Sequence, residues 1–212
     1  MAVRDALLAL LLTGPAYGFQ LHGELARRTG GRREVNVGQT YATLDRLTAR
    51  ELIASAGTTE DGLPLHRLTE AGEREARAWL GGADASGADP WDETVDRVLV
   101  AASLPGVDLV GVLDGEQARW EKRRSEASDR RAAAAAAAAA AGSGAETALP
   151  VLAADSGVAR ADAALTWLET VRGARPAAFG PDDARPKRGR RPGKRTSDPG
   201  TSADPGSAHA SA

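Results

Sequence analysis

Residues 36–50 read NVGQTYATLDRLTAR, and this stretch decides the fold. Asn36 and Gln39 stand at capping-box spacing: the Asn side chain accepts a first-turn amide, and the Gln reaches back to the cap. A helix is predicted from there. Tyr41, Leu44 and Leu47 recur at i, i+3 and i+6 as a core stripe. The opposite stripe is Gln39, Thr43, Arg46 and Arg50, with Thr40 beside it. Donors of this length, on a helix inserted in a groove, reach base edges and phosphates. Arg46 suits bidentate pairing with guanine, and Gln39 with adenine. Taken alone, the same pattern also describes a plain amphipathic helix with a polar outer face.

The flanking residues narrow the choice. Upstream, Val3, Leu7, Leu8 and Leu10–Leu12 predict a first helix that is apolar nearly all round and therefore buried, ending at Thr13-Gly14-Pro15. A secretory leader is disfavoured there, because the apolar stretch is short and Asp5 cancels Arg4. A second helix is predicted over 16–29, with Tyr17, Leu21 and Leu25 in one stripe. Arg27, Arg28, Arg32 and Arg33 follow, around Gly30-Gly31. They read either as a solvated helix end, favourable at the negative pole of the helix dipole, or as a phosphate-facing patch. Downstream, 52–56 and 65–68 predict two strands around a turn that carries Glu60 and Asp61, and Thr69 caps a further helix through Leu80. Three short helices, a hairpin and a helix make a winged helix-turn-helix, in which the third helix enters the major groove. The acidic tip would repel phosphate, so His66 and Arg67 at the wing's base are its better contacts.

Three patches of this region resemble the PadR-type transcriptional regulators: GPAYGFQL at 14–21, GQTYATLDRL at 38–47 and LTEAG at 68–72. The resemblance covers residues 1–80. Together with the helix and wing readings above, it gives Gln39, Thr40, Tyr41, Thr43, Arg46, Arg50, His66 and Arg67 as the expected DNA contacts, with Tyr17, Arg32 and Arg33 as candidate phosphate contacts. The family commonly has Pro after the recognition-helix Tyr, where this chain has Ala42, which alters backbone stiffness near the helix start.

The remainder divides by composition. The chain of 212 residues has a net charge of −2, but 81–173 is acidic and 174–212 basic. Residues 81–90 read as a linker. Helices are predicted over 91–103, 108–141 (a short helix into a long one, ending in the alanine tract 132–141, a spacer) and 151–172. The last places Val158, Leu165, Leu168 and Val171 along one side, a seam for a partner subunit. The resemblance supports that reading, because a C-terminal helical region makes the homodimer in the family. It also implies a small aromatic or hydrophobic effector near the interface, which Trp120 and Trp167 would line if they are not simply core. Beyond 173 the composition predicts disorder. Within that tail, 185–195 holds seven basic residues and no acid, either a phosphate-tracking arm or a solubilising tail.

The expected architecture is thus mainly α with a small β-hairpin: winged helix-turn-helix at 1–80, linker at 81–90, α-helical dimerisation and effector domain at 91–173, disordered basic tail at 174–212. The expected function is a homodimeric repressor of cytoplasmic location that binds double-stranded DNA at a palindromic operator. A winged-helix module that docks protein instead is the alternative; six Arg between 27 and 50, against Glu24, Glu34 and Asp45, favour DNA. Zero cysteines and three scattered histidines leave no metal-ligand spacing. With no cofactor motif and no carboxylate pair near a His, an enzyme is not expected. No apolar run reaches the length of a membrane span.

Overall fold

A computed structural model describes residues 2–83, 87–141 and 145–182. Part of the expected linker (84–86) and the tail from 183 onward, including the basic run, lie outside the described residues. The chain is mostly helical. Helix α1 (Ala2–Leu10) continues into a 3-10 turn (Leu11–Thr13), and β1 (Ala16–Tyr17), α2 (Gly18–Arg28), α3 (Val37–Ala49), β2 (Ile53–Thr58), β3 (Pro64–Leu68) and α4 (Glu70–Leu80) follow. Then come α5 (Pro90–Ser103), α6 (Leu109–Ala141) and α7 (Ala145–Ala174).

The winged helix-turn-helix forms as its residues dictate. Ala6–Leu11 are all buried, so α1 is a central helix between α4, α5 and α2. Leu21, Leu25, Leu44 and Leu47 close the core beneath it. The predicted hairpin supplies two strands of a three-stranded antiparallel sheet, ordered β1-β3-β2. Ala16 and Tyr17, assigned from periodicity to the second helix, pair instead with His66 and Leu65. Gly72 lets α4 start directly against β2: a Cβ there would lie 2.0 Å from the Leu52 carbonyl oxygen.

The C-terminal half departs further from expectation. Residues 109–141 form one unbroken helix, and α7 begins at Ala145, with Pro150 inside it. Asp114 pairs with Arg172, Arg124 with Asp162 and Arg131 with Asp155, a ladder that fixes α6 and α7 as antiparallel neighbours. Ala154, Ala161, Ala164 and Leu168 are buried on α7, facing Leu113, Trp120 and Ala127 of α6. Small residues permit this close approach; a Cβ on Gly157 would sit 3.2 Å from that of Ala127. Leu168, expected at a subunit seam, therefore belongs to the core of its own chain, and only Val158, Leu165 and Val171 stay half-exposed beside it. The long α6 supplies the partner surface that the composition seemed to lack.

Helix α5 holds the two halves together through buried charge. Arg97, fully buried, pairs with Glu116 of α6 and donates to the carbonyls of Trp79 (2.6 Å) and Ala83 (3.0 Å). Glu116 also accepts from Thr94 (2.7 Å) and Arg119 (2.7 Å), and Trp79 donates its indole N–H to Glu93 (2.9 Å). Burial opposes ionisation of Glu116, but the Arg119 hydrogen bond, the Arg97 charge and the Thr94 hydroxyl outweigh it and hold its carboxyl below the usual range.

Residues 175–182, expected to be disordered, run without regular structure back across α2. Backbone groups of Phe179, Gly180 and Asp182 are held by side chains of that helix and by the Ser103 carbonyl.

Candidate nucleic-acid interface

The capping box of α3 is present as the spacing predicts: Gln39 N–H donates to Asn36 Oδ1 (2.8 Å), and Asn36 N–H to Gln39 Oε1 (3.3 Å). The cap fixes the helix start and commits the Gln39 amide oxygen. Bidentate reading of adenine needs that oxygen as well as the nitrogen, and the cap engages one of the oxygen's two lone pairs.

The phase of the helix differs from the predicted one. Thr40, Thr43, Leu44 and Leu47 are buried, whereas Tyr41 is 42% exposed. Thr40, expected at DNA, is enclosed against His22, with Oγ1 3.3 Å from Nδ1. Thr43 is 8% exposed; its hydroxyl donates to the Gln39 carbonyl (2.8 Å) and accepts from Arg46 (3.0 Å). It acts as a rest for Arg46 rather than as a reader. Tyr41, placed in the core by periodicity, lies on the surface with its ring over Gly18. A Cβ on that glycine would meet the ring at 2.6 Å, so Gly18 is what lets α2 and α3 close.

Val37, Gly38, Ala42, Asp45 and Ala49 complete the exposed face. Gly38, Ala42, Asp45 and Ala49 follow one another at helical spacing and form a ridge of mostly small side chains. A low ridge brings the helix axis close to a groove floor. Gln39, Arg46 and Arg50 stand on one flank and Tyr41 on the other. Asp45 was not among the predicted readers, although its spacing from Ala42 places it on the same ridge. Its carboxylate can accept from the cytosine amino group. Beside the arginine flank, Val3, Arg4, Thr43, Arg46, Leu47 and Arg50 line an open cleft of about 260 Å³.

On the wing, Arg67 is exposed opposite Ala54, while His66 is half-buried between Ala16 and Ser55. Burial lowers the His66 pKa below its ordinary value, against a smaller raising effect from the Asp45 charge. Glu60 and Asp61 occupy the tip, as the sequence places them.

The remaining expected contacts lie elsewhere. Tyr17 is almost buried in β1. Arg32 pairs with Asp92 and Asp96, and Arg33 reaches Asp96 at 2.6 Å; the Asp96 hydrogen bond holds the Arg33 guanidinium firmly charged. Both bolt the end of α2 to α5, although Arg32 stays exposed. Asp92 and Asp96, some sixty positions downstream, carried no local signal of this. Trp120 is buried and donates to Thr94 (2.9 Å), and Trp167 is half-exposed. Trp91 stands between them, edge-on to both, with ring centroids 6.2 and 5.3 Å away. The space expected for an effector between those two rings is taken by a third. No group of described residues has the makings of a metal site, and no described helix is long and apolar enough to cross a membrane.

Among known proteins, residues 7–78 match the family described as the transcriptional regulator PadR-like family. No curated protein matches. Among solved structures, the chain is similar to Bacillus subtilis PadR in complex with operator DNA, at 19% identity over 81% of this chain and 96% of that one, with a TM-score of 0.35. A second structure of the Bacillus subtilis regulator is 18% identical over 82% of this chain and 99% of that one, with a TM-score of 0.31. The matched span, 7–78, is the one that folds from α1 to α4 around the winged sheet.

Proposed function

We propose that the chain is a homodimeric, sequence-specific DNA-binding repressor that acts in the cytoplasm on a palindromic operator. Residues 1–80 are the reader and 91–173 carry the dimer contact. The observation that carries the reading is the outward face of α3, a low ridge flanked by Gln39, Arg46 and Arg50, with Arg67 exposed at the base of the wing. Phosphate contacts set the register, and Arg46, Gln39 and Asp45 read base edges. Two such helices about one DNA turn apart engage two half-sites, and simultaneous binding raises affinity through effective concentration. The half-exposed apolar residues Val158, Leu165 and Val171, with the exposed Leu149 and Leu152, form the subunit contact along α7.

Release by a flat aromatic ligand is part of the same proposal. Such a ligand shifts the population only if it prefers the state that does not bind DNA. The half-exposed Trp167 beside Trp91 is its entry point, and quenching of tryptophan fluorescence reads the encounter.

Fluorescence anisotropy tests the DNA reading, with duplex from upstream of the protein's own gene, a scrambled duplex, two salt concentrations and Arg46→Ala. Tight binding that collapses on the scramble and weakens by about 1–3 kcal/mol in Arg46→Ala is the expected result. Equal affinity for both duplexes would reject sequence readout, and absence of binding at low salt would point to protein docking.

A further inference from the structure

We infer that the cleft between α1 and α3 is a binding site for a small phosphomonoester, whose occupant competes with DNA for Arg46 and Arg50. The consequence rests on the DNA-binding reading above, and adds to it a regulation of the same face.

The cleft opens where the start of α1 passes the second half of α3. Val3 and Arg4 line it from α1, and Thr43, Arg46, Leu47 and Arg50 line it from α3 and its C-cap. Its volume of about 260 Å³ lies just under the ~300–1,000 Å³ of pockets for drug-sized ligands. There is room for a small molecule and none for a docked helix.

The charge of the cleft is unbalanced. Arg4 pairs with Glu75 and, at 3.5 Å, with Asp5, so its guanidinium is already satisfied. Arg46 and Arg50 are exposed, and neither makes an ion pair with a described residue. The four arginines of 27–33, by contrast, all hold acidic partners. Thr43 fixes Arg46 in place by accepting its hydrogen bond (3.0 Å). Residues four apart on a helix have Cβ atoms about 5–6 Å from each other, so both guanidiniums can grip one anion.

Two unbalanced positive charges fit a dianion. A phosphomonoester carries about −1.5 to −2 at pH 7 and offers three acceptor oxygens, enough for two guanidinium forks. A carboxylate or a backbone phosphodiester brings one negative charge and leaves the second arginine unbalanced. Val3 and the aliphatic stems of the arginines give the ligand's carbon skeleton an apolar wall. Once held by the ligand, Arg46 cannot reach a base edge, and the bound dianion repels the DNA backbone. Ligand and duplex thus exclude each other by sharing residues, and the ligand necessarily prefers the state that does not bind DNA. No movement of the C-terminal helices is needed.

The test uses the full chain, labelled with nitrogen-15, and phenyl phosphate as the probe. Phenyl sulfate has the same shape with one charge, and dimethyl phosphate stands for a backbone diester. Arginine Nε–H signals are followed by NMR without DNA. Duplex binding is followed by anisotropy at constant ionic strength. Phenyl phosphate is expected to shift the Arg46 and Arg50 signals to saturation at about a tenth of the concentration that either comparison needs. Val3→Asp sets a carboxylate in the cleft while adding an acid to the first turn of α1, where the helix dipole favours it. That variant and Arg50→Gln should each weaken probe binding about tenfold or more. The apparent Kd for the upstream duplex should rise in proportion to the phenyl phosphate concentration. No saturable shift, or a Val3→Asp variant that titrates like the unchanged chain, overturns the site. An equal response to dimethyl phosphate assigns the arginines to a backbone phosphate and overturns the small-molecule ligand. Saturation without loss of duplex affinity overturns the competition and leaves the DNA reading standing. Probe binding by a chain that prefers no duplex rejects the DNA reading and keeps the site.

Discussion

Replacing Arg97 with Met tests whether buried charge unites the winged helix with the C-terminal helices. Met fills most of the volume, so packing loss is small, but Glu116 and Glu93 lose their shared buried partner and the carbonyls of Trp79 and Ala83 lose their donors. Breaking a buried ion pair from one side costs about 3–5 kcal/mol. Glu116 keeps Arg119 and Thr94, which places the loss near ~3 kcal/mol. Against a total stability of about 5–15 kcal/mol this is a large fraction. With a urea slope of about 2–3 kcal/mol/M, the midpoint should fall by about 1 M. Arg97→Met with Glu116→Gln removes the closest pair of charges, leaving Glu93, and should recover part of the loss, since an amide is cheaper to bury than an unpaired carboxylate. Acid unfolding adds a second readout. The folded-state pKa of Glu116 lies below its unfolded value, so its stabilisation is complete above the unfolded pKa and is lost as pH falls through the folded one. Without the Arg97 charge, burial raises that pKa and the loss begins at higher pH. A cost under about 1 kcal/mol for Arg97→Met, or a double variant that costs the sum of the singles, would refute the buried-pair account.

Three further outcomes follow from named contacts. Gly72→Ala should destabilise by about 1–3 kcal/mol despite the better helix propensity of Ala, because the new methyl meets a backbone carbonyl rather than a movable side chain; a neutral or raised urea midpoint would contradict the close approach. The pKa of His66 is lower in the folded state than in the unfolded chain, whose imidazole therefore takes up protons first. Stability should be full above about pH 6.5, fall as pH drops from there through the folded value, and level off below it; His66→Gln should remove that slope in thermal melts. Arg33→Ala should lower stability by about 1–2 kcal/mol, discounted because the side chain is partly exposed, while leaving DNA affinity unchanged. Weaker DNA binding by a fully folded Arg33→Ala would restore the phosphate role assigned to it from sequence.

How far the sequence could be read depends on how local each cause is. The cap of α3 was legible because Asn36 and Gln39 act on each other three residues apart, and the order of the elements followed from breakers and apolar spacing of the same short range. The face of α3 was misread by about one residue, since hydropathy ranks Tyr41 above Thr40. Burial here follows volume and bonding instead. Thr40 is small enough to close against α2 beside His22, while the Tyr41 ring finds its seat outside, over Gly18. The arginines were harder still. Arg27, Arg28, Arg32 and Arg33 form one basic run, yet none of the four is left without an acidic partner: Glu24 holds the first pair, and Asp92 and Asp96 hold the second. The counter-charges of such a run are legible only when they are near in sequence, and two of these three lie on α5.

The same reasoning explains why residues 175–182 escaped notice. A segment of Pro, Ala, Gly and charge cannot bury enough apolar area to order itself, and by that rule it should be free. Order comes instead from a helix whose polar face offers donors and an acceptor at the spacing of an extended backbone, with Phe179 as its one apolar anchor. That face joins the end of α5, the exit from α7 and the first turn of α2. A shift of α7 relative to α5 must therefore be taken up either in residues 175–182 or in α2, the helix on which α3 rests. Two sets of contacts thus link the C-terminal helices to the winged helix: the buried Arg97 cluster through α4, and residues 175–182 through α2. Phe179→Ala takes only the ring from the second set, because the hydrogen bonds of Gln20, Glu24, Arg27 and Arg28 go to backbone atoms that the substitution keeps.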